Sequence, residues 1–133
     1  MDDRRADEAQ LVAEFWQALR AFLRKSELVA RKHGLTPQRQ QLLVMIAGST
    51  DGTSTITDLS AQLSLAQTTV TEHVHRAVLA GLIERRTSAA DGRVTHLTLT
   101  PEGDRRMRAT MADLHADRAV LEAVLGALRE REA

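Results

Sequence analysis

The fold of this chain is decided by residues 55–100, which read TITDLSAQLSLAQTTVTEHVHRAVLAGLIERRTSAADGRVTHLTLT. The first half of this stretch predicts two helices joined by a tight turn at Ser64-Leu65. Thr57 is placed to cap the first helix, because a threonine oxygen accepts hydrogen bonds from free backbone N–H groups. The second helix is predicted over residues 66–80, and Gly81 fits the position after its end. This pattern is a helix-turn-helix.

The second predicted helix has an apolar face and a hydrogen-bonding face. A rotation of about 100° per residue places Val70, Val74 and Ala77 together. Short polar side chains on the other side suit the reading of base edges and phosphates in a major groove. A solvated surface is the alternative, and it is favoured when the helix is considered alone. From this helix we predict DNA contacts by Gln67, Thr68, Thr69, Thr71, Glu72, His75 and Arg76.

A predicted hairpin follows. Residues 82–87 and 94–100 are threonine-rich and β-branched and predict two strands, with Gly92 in the loop between them. Arginines at the base and tip are placed to reach phosphates and the minor groove, and an acidic neighbour can orient the tip guanidinium. Together with the helix-turn-helix, these features favour DNA binding over a solvated hairpin with scattered charge. The predicted contacts of the hairpin are Arg85, Arg86, Asp91 and Arg93.

Two Thr-Pro pairs predict further helix starts, with threonine as the N-cap and proline in the first turn. Thr36-Pro37 opens a helix that runs to Gly48, and Thr100-Pro101 opens the last helical stretch. Residues 49–54 read as a loop, and Thr55-Ile56 is a candidate third strand beside the hairpin. The predicted fold class is mainly α with a small β-hairpin wing (α+β), a winged helix-turn-helix flanked by terminal helices.

The terminal segments carry apolar stripes that are broad for so small a protein. Residues 6–34 predict one long helix, and residues 101–131 carry a second seam that is broken at Arg118. The pattern leaves open whether the second segment is one helix or two that bend near residues 115–117. We predict a single domain, 1–133, in which both segments dimerise around a DNA-binding region at 35–100. An intramolecular bundle is the alternative.

The quoted motifs resemble those of the MarR family of bacterial transcriptional regulators. The resemblance covers residues 35–103 and rests on the following segments: Asp58-Leu59 through Leu63, Thr69-Val70-Thr71, Gly81-Leu82-Ile83-Glu84-Arg85-Arg86, Asp91-Gly92-Arg93 and Leu99-Thr100-Pro101-Glu102-Gly103. It implies a homodimer that binds a palindromic operator in double-stranded DNA, often as a repressor released by a small aromatic anion. Three positions depart from the family pattern: Ala66 replaces a capping Ser or Thr, Ser64 replaces a turn Gly, and Glu72 replaces a residue that is often basic.

The resemblance also implies an effector pocket between the dimer helices and the winged helix. The candidate residues are Trp16, Phe22, Arg39 and Met45, an aromatic wall with a cation for an anionic ring compound. Ordinary roles remain the alternative for each residue: core packing for Trp16, Phe22 and Met45, and solvation for Arg39.

Composition restricts the class of protein. A chain of 133 residues, with 43% hydrophobic and 27% charged residues, suffices for one globular domain. No apolar run reaches the length of a membrane span and the start Met1-Asp2-Asp3 is unlike a signal peptide, so we expect a cytoplasmic protein. The absence of cysteine excludes disulfides and cysteine redox sensing. We expect no enzyme activity and no cofactor, because no catalytic or phosphate-binding motif is present.

Net charge is the main argument against DNA binding. Lys+Arg and Asp+Glu both number 18, so the basic balance usual for DNA-binding domains is missing. A winged-helix module for protein interaction, without DNA contact, is therefore the second hypothesis. A metal-responsive regulator is a distant third, since His73 and His75 lie two residues apart on a helix and point to different faces. The arginines of the predicted DNA side keep the first hypothesis ahead.

Overall fold

The computed structural model of the protein describes residues 3–90 and 92–132 and confirms the winged-helix fold class. The elements in chain order are α1 (Asp3–Lys32), α2 (Pro37–Ala47), a 3-10 turn (Thr50–Gly52), α3 (Ile56–Leu63), α4 (Gln67–Leu79), β1 (Ile83–Thr87), β2 (Thr95–Leu99), α5 (Pro101–Asp113), a second 3-10 turn (His115–Asp117) and α6 (Arg118–Glu132).

Threonine oxygens cap three of these helices. Thr36 accepts from the Arg39 N–H at 3.2 Å and Thr100 from the Gly103 N–H at 3.0 Å, as the Thr-Pro pairs predict. The prediction that Thr57 caps α3 is wrong. Thr55 is the cap, with an extended backbone and its oxygen 3.2 Å from the Asp58 N–H. Both threonines precede helix-forming residues, so propensity alone does not separate them.

The turn between α3 and α4 contains two positions with unfavourable local chemistry. Ser64 takes a left-handed conformation with φ +54°, which usually favours glycine. Ala66 has the extended backbone of an N-cap but makes no side-chain hydrogen bond to α4. The sequence departures at both positions therefore have structural costs, and the fold tolerates them.

The hairpin is antiparallel, with Ile83 opposite Leu99 and Arg85 opposite Leu97. Ser54 pairs with the outer side of β2. Its N–H donates to the Leu97 carbonyl at 3.1 Å, and its carbonyl accepts from the Leu97 N–H at 2.8 Å. The predicted third strand at Thr55-Ile56 is thus misplaced, because Thr55 caps α3 and Ile56 begins it. One isolated bridge ties the loop before α3 to the wing.

A single apolar cluster joins the helix-turn-helix to the hairpin. Leu43 and Ile46 of α2 are fully buried at its centre, and α4 contributes its apolar face as predicted. The fully buried large side chains are Leu42, Leu43, Ile46, Leu59, Val70, Val74, Leu82, Ile83, Leu97 and Thr110. Because α4 buries one face here, its opposite face is held outward.

The start of α5 lies directly against the base of the hairpin. The Thr100 N–H donates to the Leu82 carbonyl at 3.1 Å, and the Thr100 hydroxyl donates to the Gly81 carbonyl at 2.6 Å. Gly103 is buried, and a Cβ atom there would lie 2.1 Å from the Leu82 carbonyl oxygen. The Leu-Thr-x-x-Gly motif is therefore a docking site for helix α5 on the wing.

Polar contacts join α5 to the end of α1. The Asp113 carboxylate accepts from His33 Nε2 at 2.7 Å and pairs with Lys32 Nζ at 3.2 Å. These hydrogen bonds hold the pKa of Asp113 below its usual value. The bond from His33 has the larger effect, and the bond from Lys32 has the smaller one. Asp113 ends α5, where the helix dipole disfavours a carboxylate, so its partners must come from another element.

The C-terminal segment is two helices, which answers the question that the pattern left open. Helix α5 stops at Asp113 and α6 starts at Arg118 after the 3-10 turn. Arg118, at which the predicted apolar seam is broken, is the first residue of α6. The side chains of Leu121 and Leu128, which the seam also includes, lie outside the described residues.

We expect Gly103→Ala to destabilise the fold by about 1–3 kcal/mol or more, because the new methyl group meets backbone rather than a flexible side chain. Urea unfolding at fixed protein concentration measures the change. The matched control is Gly126→Ala in α6, where a Cβ meets nothing within 4 Å. That variant should gain about 0.5–1 kcal/mol from helix propensity. Equal stability of the two variants would contradict the close contact at Leu82.

We expect Ala66→Ser to stabilise the protein by about 0.5–1 kcal/mol, because a serine oxygen can cap the free N–H groups of α4. Thermal and urea unfolding measure the gain. Thr55→Ala, which removes the cap of α3, is the comparison and should lose a similar amount. A serine variant no more stable than the wild type would mean that its side chain does not reach the helix end.

Candidate nucleic-acid interface

The outward face of α4 carries most of the residues predicted to contact DNA. Thr69 is half-buried at the edge of this face. The exposed members of the set are Gln67, Thr68, Thr71, Glu72, His75 and Arg76. The structure thus confirms the amphipathic pattern of the helix and brings these side chains together on one surface.

Two contacts organise this surface. Arg76 Nη2 lies 2.6 Å from Glu72 Oε1, one helical turn away. The Thr71 hydroxyl donates to the Gln67 carbonyl at 2.8 Å, so its methyl group and lone pairs remain for other partners. Helical periodicity places both Glu72 and Arg76 on this surface, but the ion pair between them was not predicted.

The arginines of β1 point to opposite sides of the hairpin. Arg85 shares the face of its cross-strand partner Leu97, whereas Arg86 lies opposite His96. Both arginines are exposed, as is Arg93 in the loop after β1. The hairpin therefore presents cations on both faces and at its end. Asp91, predicted to orient Arg93, lies outside the described residues.

Glu84 is a functional candidate that the sequence analysis missed. Its Oε2 atom lies 3.6 Å from Arg86 Nη2, on the same face of β1. The signal was present in the sequence, because residues two apart in a strand share a face. Arg76 and Arg86 thus each lie beside a carboxylate of their own element. For Arg85, no ion pair is found in the part of the chain that the structure describes.

The four predicted effector residues do not line either of two pockets between described residues. Trp16 is 58% exposed, and Phe22, Arg39 and Met45 are half-buried, with Met45 packed against the core. Two pockets between described residues have other linings. A small one between α2 and α4 includes His73, and a larger one of about 320 Å³ is lined by Lys25, Leu28, Val29, Lys32 and Asp113.

Two further properties concern the described residues. Among them, no three or more His, Asp and Glu side chains converge in a group able to hold a metal ion. No described helix combines the length and apolarity that crossing a bilayer requires.

Comparisons with known proteins agree with this architecture. A crystal structure of a MarR family transcription regulator superposes with a TM-score of 0.80, at 24% identity, over 99% of this chain and 89% of that chain. NadR in complex with 4-hydroxyphenylacetate superposes with a TM-score of 0.73, at 24% identity, over 89% of this chain and 82% of that chain. A mutant MarR from E. coli complexed with operator DNA superposes with a TM-score of 0.68, at 18% identity, over 89% of this chain and 81% of that chain. At these identities the likeness shows the fold.

Among curated proteins, no sequence matches this chain. The model of the MarR family matches residues 33–94, which run from the end of α1 into the hairpin loop. This segment holds the helix-turn-helix and the first strand of the wing, the same elements that carry the exposed polar face and the arginines. Residues 33–94 thus match the MarR family model, and the chain has the winged-helix fold of solved MarR family structures.

Proposed function

We propose that this regulator is a homodimer that binds a palindromic operator, with α4 in the major groove and the hairpin along the adjacent backbone. One observation carries the proposal: α4 exposes a hydrogen-bonding face beside a hairpin with exposed arginines on both faces and at its loop. Helix N-terminal residues read base edges in such complexes, and arginines contact phosphates or the minor groove. The E. coli relative complexed with operator DNA supports this use of the fold.

A second copy is expected to cover the apolar stripe of α1. Leu11, Val12, Trp16 and Leu23 are between 45% and 61% exposed, and Leu125 of α6 is 47% exposed. Contiguous apolar surface on a small protein marks an interaction site. A two-fold dimer through the terminal helices would place two copies of α4 about 34–36 Å apart, one turn of DNA.

The finer regulatory role is repression relieved by a small anion. The structural relative in complex with 4-hydroxyphenylacetate supports this class of ligand. A ligand shifts an equilibrium only between states that it distinguishes, so the effector must bind differently to two spacings of the DNA-binding regions. Trp16, Phe22, Arg39 and Met45 remain the proposed pocket, with the partner subunit closing over the exposed Trp16.

A protein-interaction module without DNA contact is the second candidate. It is favoured by the net charge of zero and by the carboxylates beside Arg76 and Arg86. Binding to the DNA upstream of the protein's own gene, measured over a salt series, separates the two functions. Specific binding with a steep salt dependence supports the regulator. If neither the specific nor the competitor DNA is bound, the result supports the protein-interaction module.

We expect Leu23→Glu to convert the dimer to a monomer, because a carboxylate in an apolar interface loses its hydration without a partner. Light scattering should give about 29 kDa for the wild type, twice the 14.7 kDa of one chain, and 14.7 kDa for the variant. The control is Leu79→Glu, which changes a side chain 74% exposed on α4 and should leave the dimer intact. A dimeric Leu23→Glu variant would exclude this interface.

We expect Arg93→Ala to weaken binding to specific and non-specific DNA alike and to reduce the salt slope by roughly one unit per subunit. A lost phosphate contact removes counterion release but no base recognition. Fluorescence anisotropy over a salt series measures both quantities. Arg108→Ala is the control, since Arg108 lies on α5 and pairs with Asp104 at 2.8 Å. Unchanged affinity of Arg93→Ala would remove the hairpin loop from the DNA interface.

A further inference from the structure

We propose that Glu72 and Arg76 act as one unit that selects cytosine in each operator half-site. Glu72 would accept a hydrogen bond from the cytosine amino group, while Arg76 holds the carboxylate and reaches a backbone phosphate. This inference rests on the proposed function, because it requires α4 to lie in the major groove. Beyond the proposed function, the inference names the base that Glu72 would select. It also explains why an acidic residue lies on a surface that would face phosphates.

The geometry joins the two side chains and leaves both free to bind further. Arg76 Nη2 contacts Glu72 Oε1 at 2.6 Å, and the two side chains are 59% and 62% exposed. The contact uses one of five guanidinium N–H groups and one of the four lone-pair sites of the carboxylate. No described contact occupies Glu72 Oε2. Both side chains therefore keep hydrogen-bonding capacity, Arg76 for a phosphate and Glu72 for a base.

The pair explains how a carboxylate can enter a groove. An isolated carboxylate would be repelled by the phosphates and by the acceptor atoms of purine edges. In the complex Arg76 would compensate that charge and orient the carboxylate of Glu72, since both residues lie on one helix. Arg76 is thus a positioning residue for Glu72, and Glu72 is the residue that touches the base.

Cytosine is the base that fits a paired carboxylate. In the major groove, cytosine presents an amino donor, whereas guanine presents only acceptors and thymine an acceptor and a methyl group. Adenine also has an amino donor, but its neighbouring N7 is an acceptor that repels a carboxylate. An amide in place of the acid reverses this preference, because glutamine donates to adenine N7 and accepts from N6.

The position of the pair in the helix agrees with this role. Glu72 is in the second turn of α4, which starts at Gln67, and the first turns of a recognition helix contact base edges. Arg76 is one turn later, toward the groove edge. A surface pair with no role in recognition would contribute little to stability at such exposure, so stability does not account for it.

The test is selection from a randomised DNA library by wild-type protein and by Glu72→Gln. We expect the wild type to enrich cytosine at one position of each half-site, and Glu72→Gln to enrich adenine there, with a reversal of roughly tenfold in relative affinity. Glu84→Gln is the matched control, because Glu84 also pairs with an arginine but lies on the wing. It should change the salt slope and leave the selected sequence intact.

A second variant tests the positioning role of Arg76. Arg76→Met keeps an unbranched apolar stem and removes the guanidinium, so it should reduce the cytosine preference as well as the affinity, with an unchanged circular dichroism spectrum. If Glu72→Gln raises the affinity for all sequences equally and does not change the selected base, then Glu72 only repels the phosphates, and the inference is overturned. A wild-type motif without cytosine would overturn it too, while the proposed function would stand. A wild-type pool that stays random overturns both.

Discussion

The close approach of α5 to the hairpin is the constraint on which the rest of the structure depends. Gly103 lets the helix touch the Leu82 carbonyl, and Thr100 caps α5 while its hydroxyl donates to the Gly81 carbonyl. This contact joins the end of α4, the base of the hairpin and the start of α5 at one point. Helix α5 then runs to Asp113, which pairs with Lys32 and His33, so the same helix contacts both the hairpin and the end of α1.

Two of the arginines on the proposed DNA face are paired with carboxylates, in keeping with the neutral net charge of the chain. Arg76 Nη2 lies 2.6 Å from a Glu72 carboxylate oxygen, and Arg86 Nη2 lies 3.6 Å from a Glu84 carboxylate oxygen. Such exposed pairs are weak, so they open or share their cations with phosphates at little cost. The proposed DNA face is therefore less basic than its arginines alone would make it.

Much of the fold was predictable because its signals are local. Helix starts at Thr36 and Thr100, the turn at Ser64 and the apolar face of α4 follow from capping, backbone preference and helical periodicity, which act over a few residues. The outward set from Gln67 to Arg76 followed from the same periodicity. The choice of Thr55 over Thr57 as a cap did not, because it depends on Ser54 pairing with Leu97, more than forty positions away.

The sequence by itself determined the order of elements, the winged-helix class and the faces that α4 and the strands present. Only the tertiary structure decided how the polar groups pair: Glu72 with Arg76, Glu84 with Arg86, and Asp113 with the end of α1. It also decided that the C-terminal segment breaks at residues 115–117. Periodicity fixes which side of an element a residue occupies. Whether two charged side chains on that side meet depends on rotamers and on neighbouring elements, and neither is encoded within a short window of sequence.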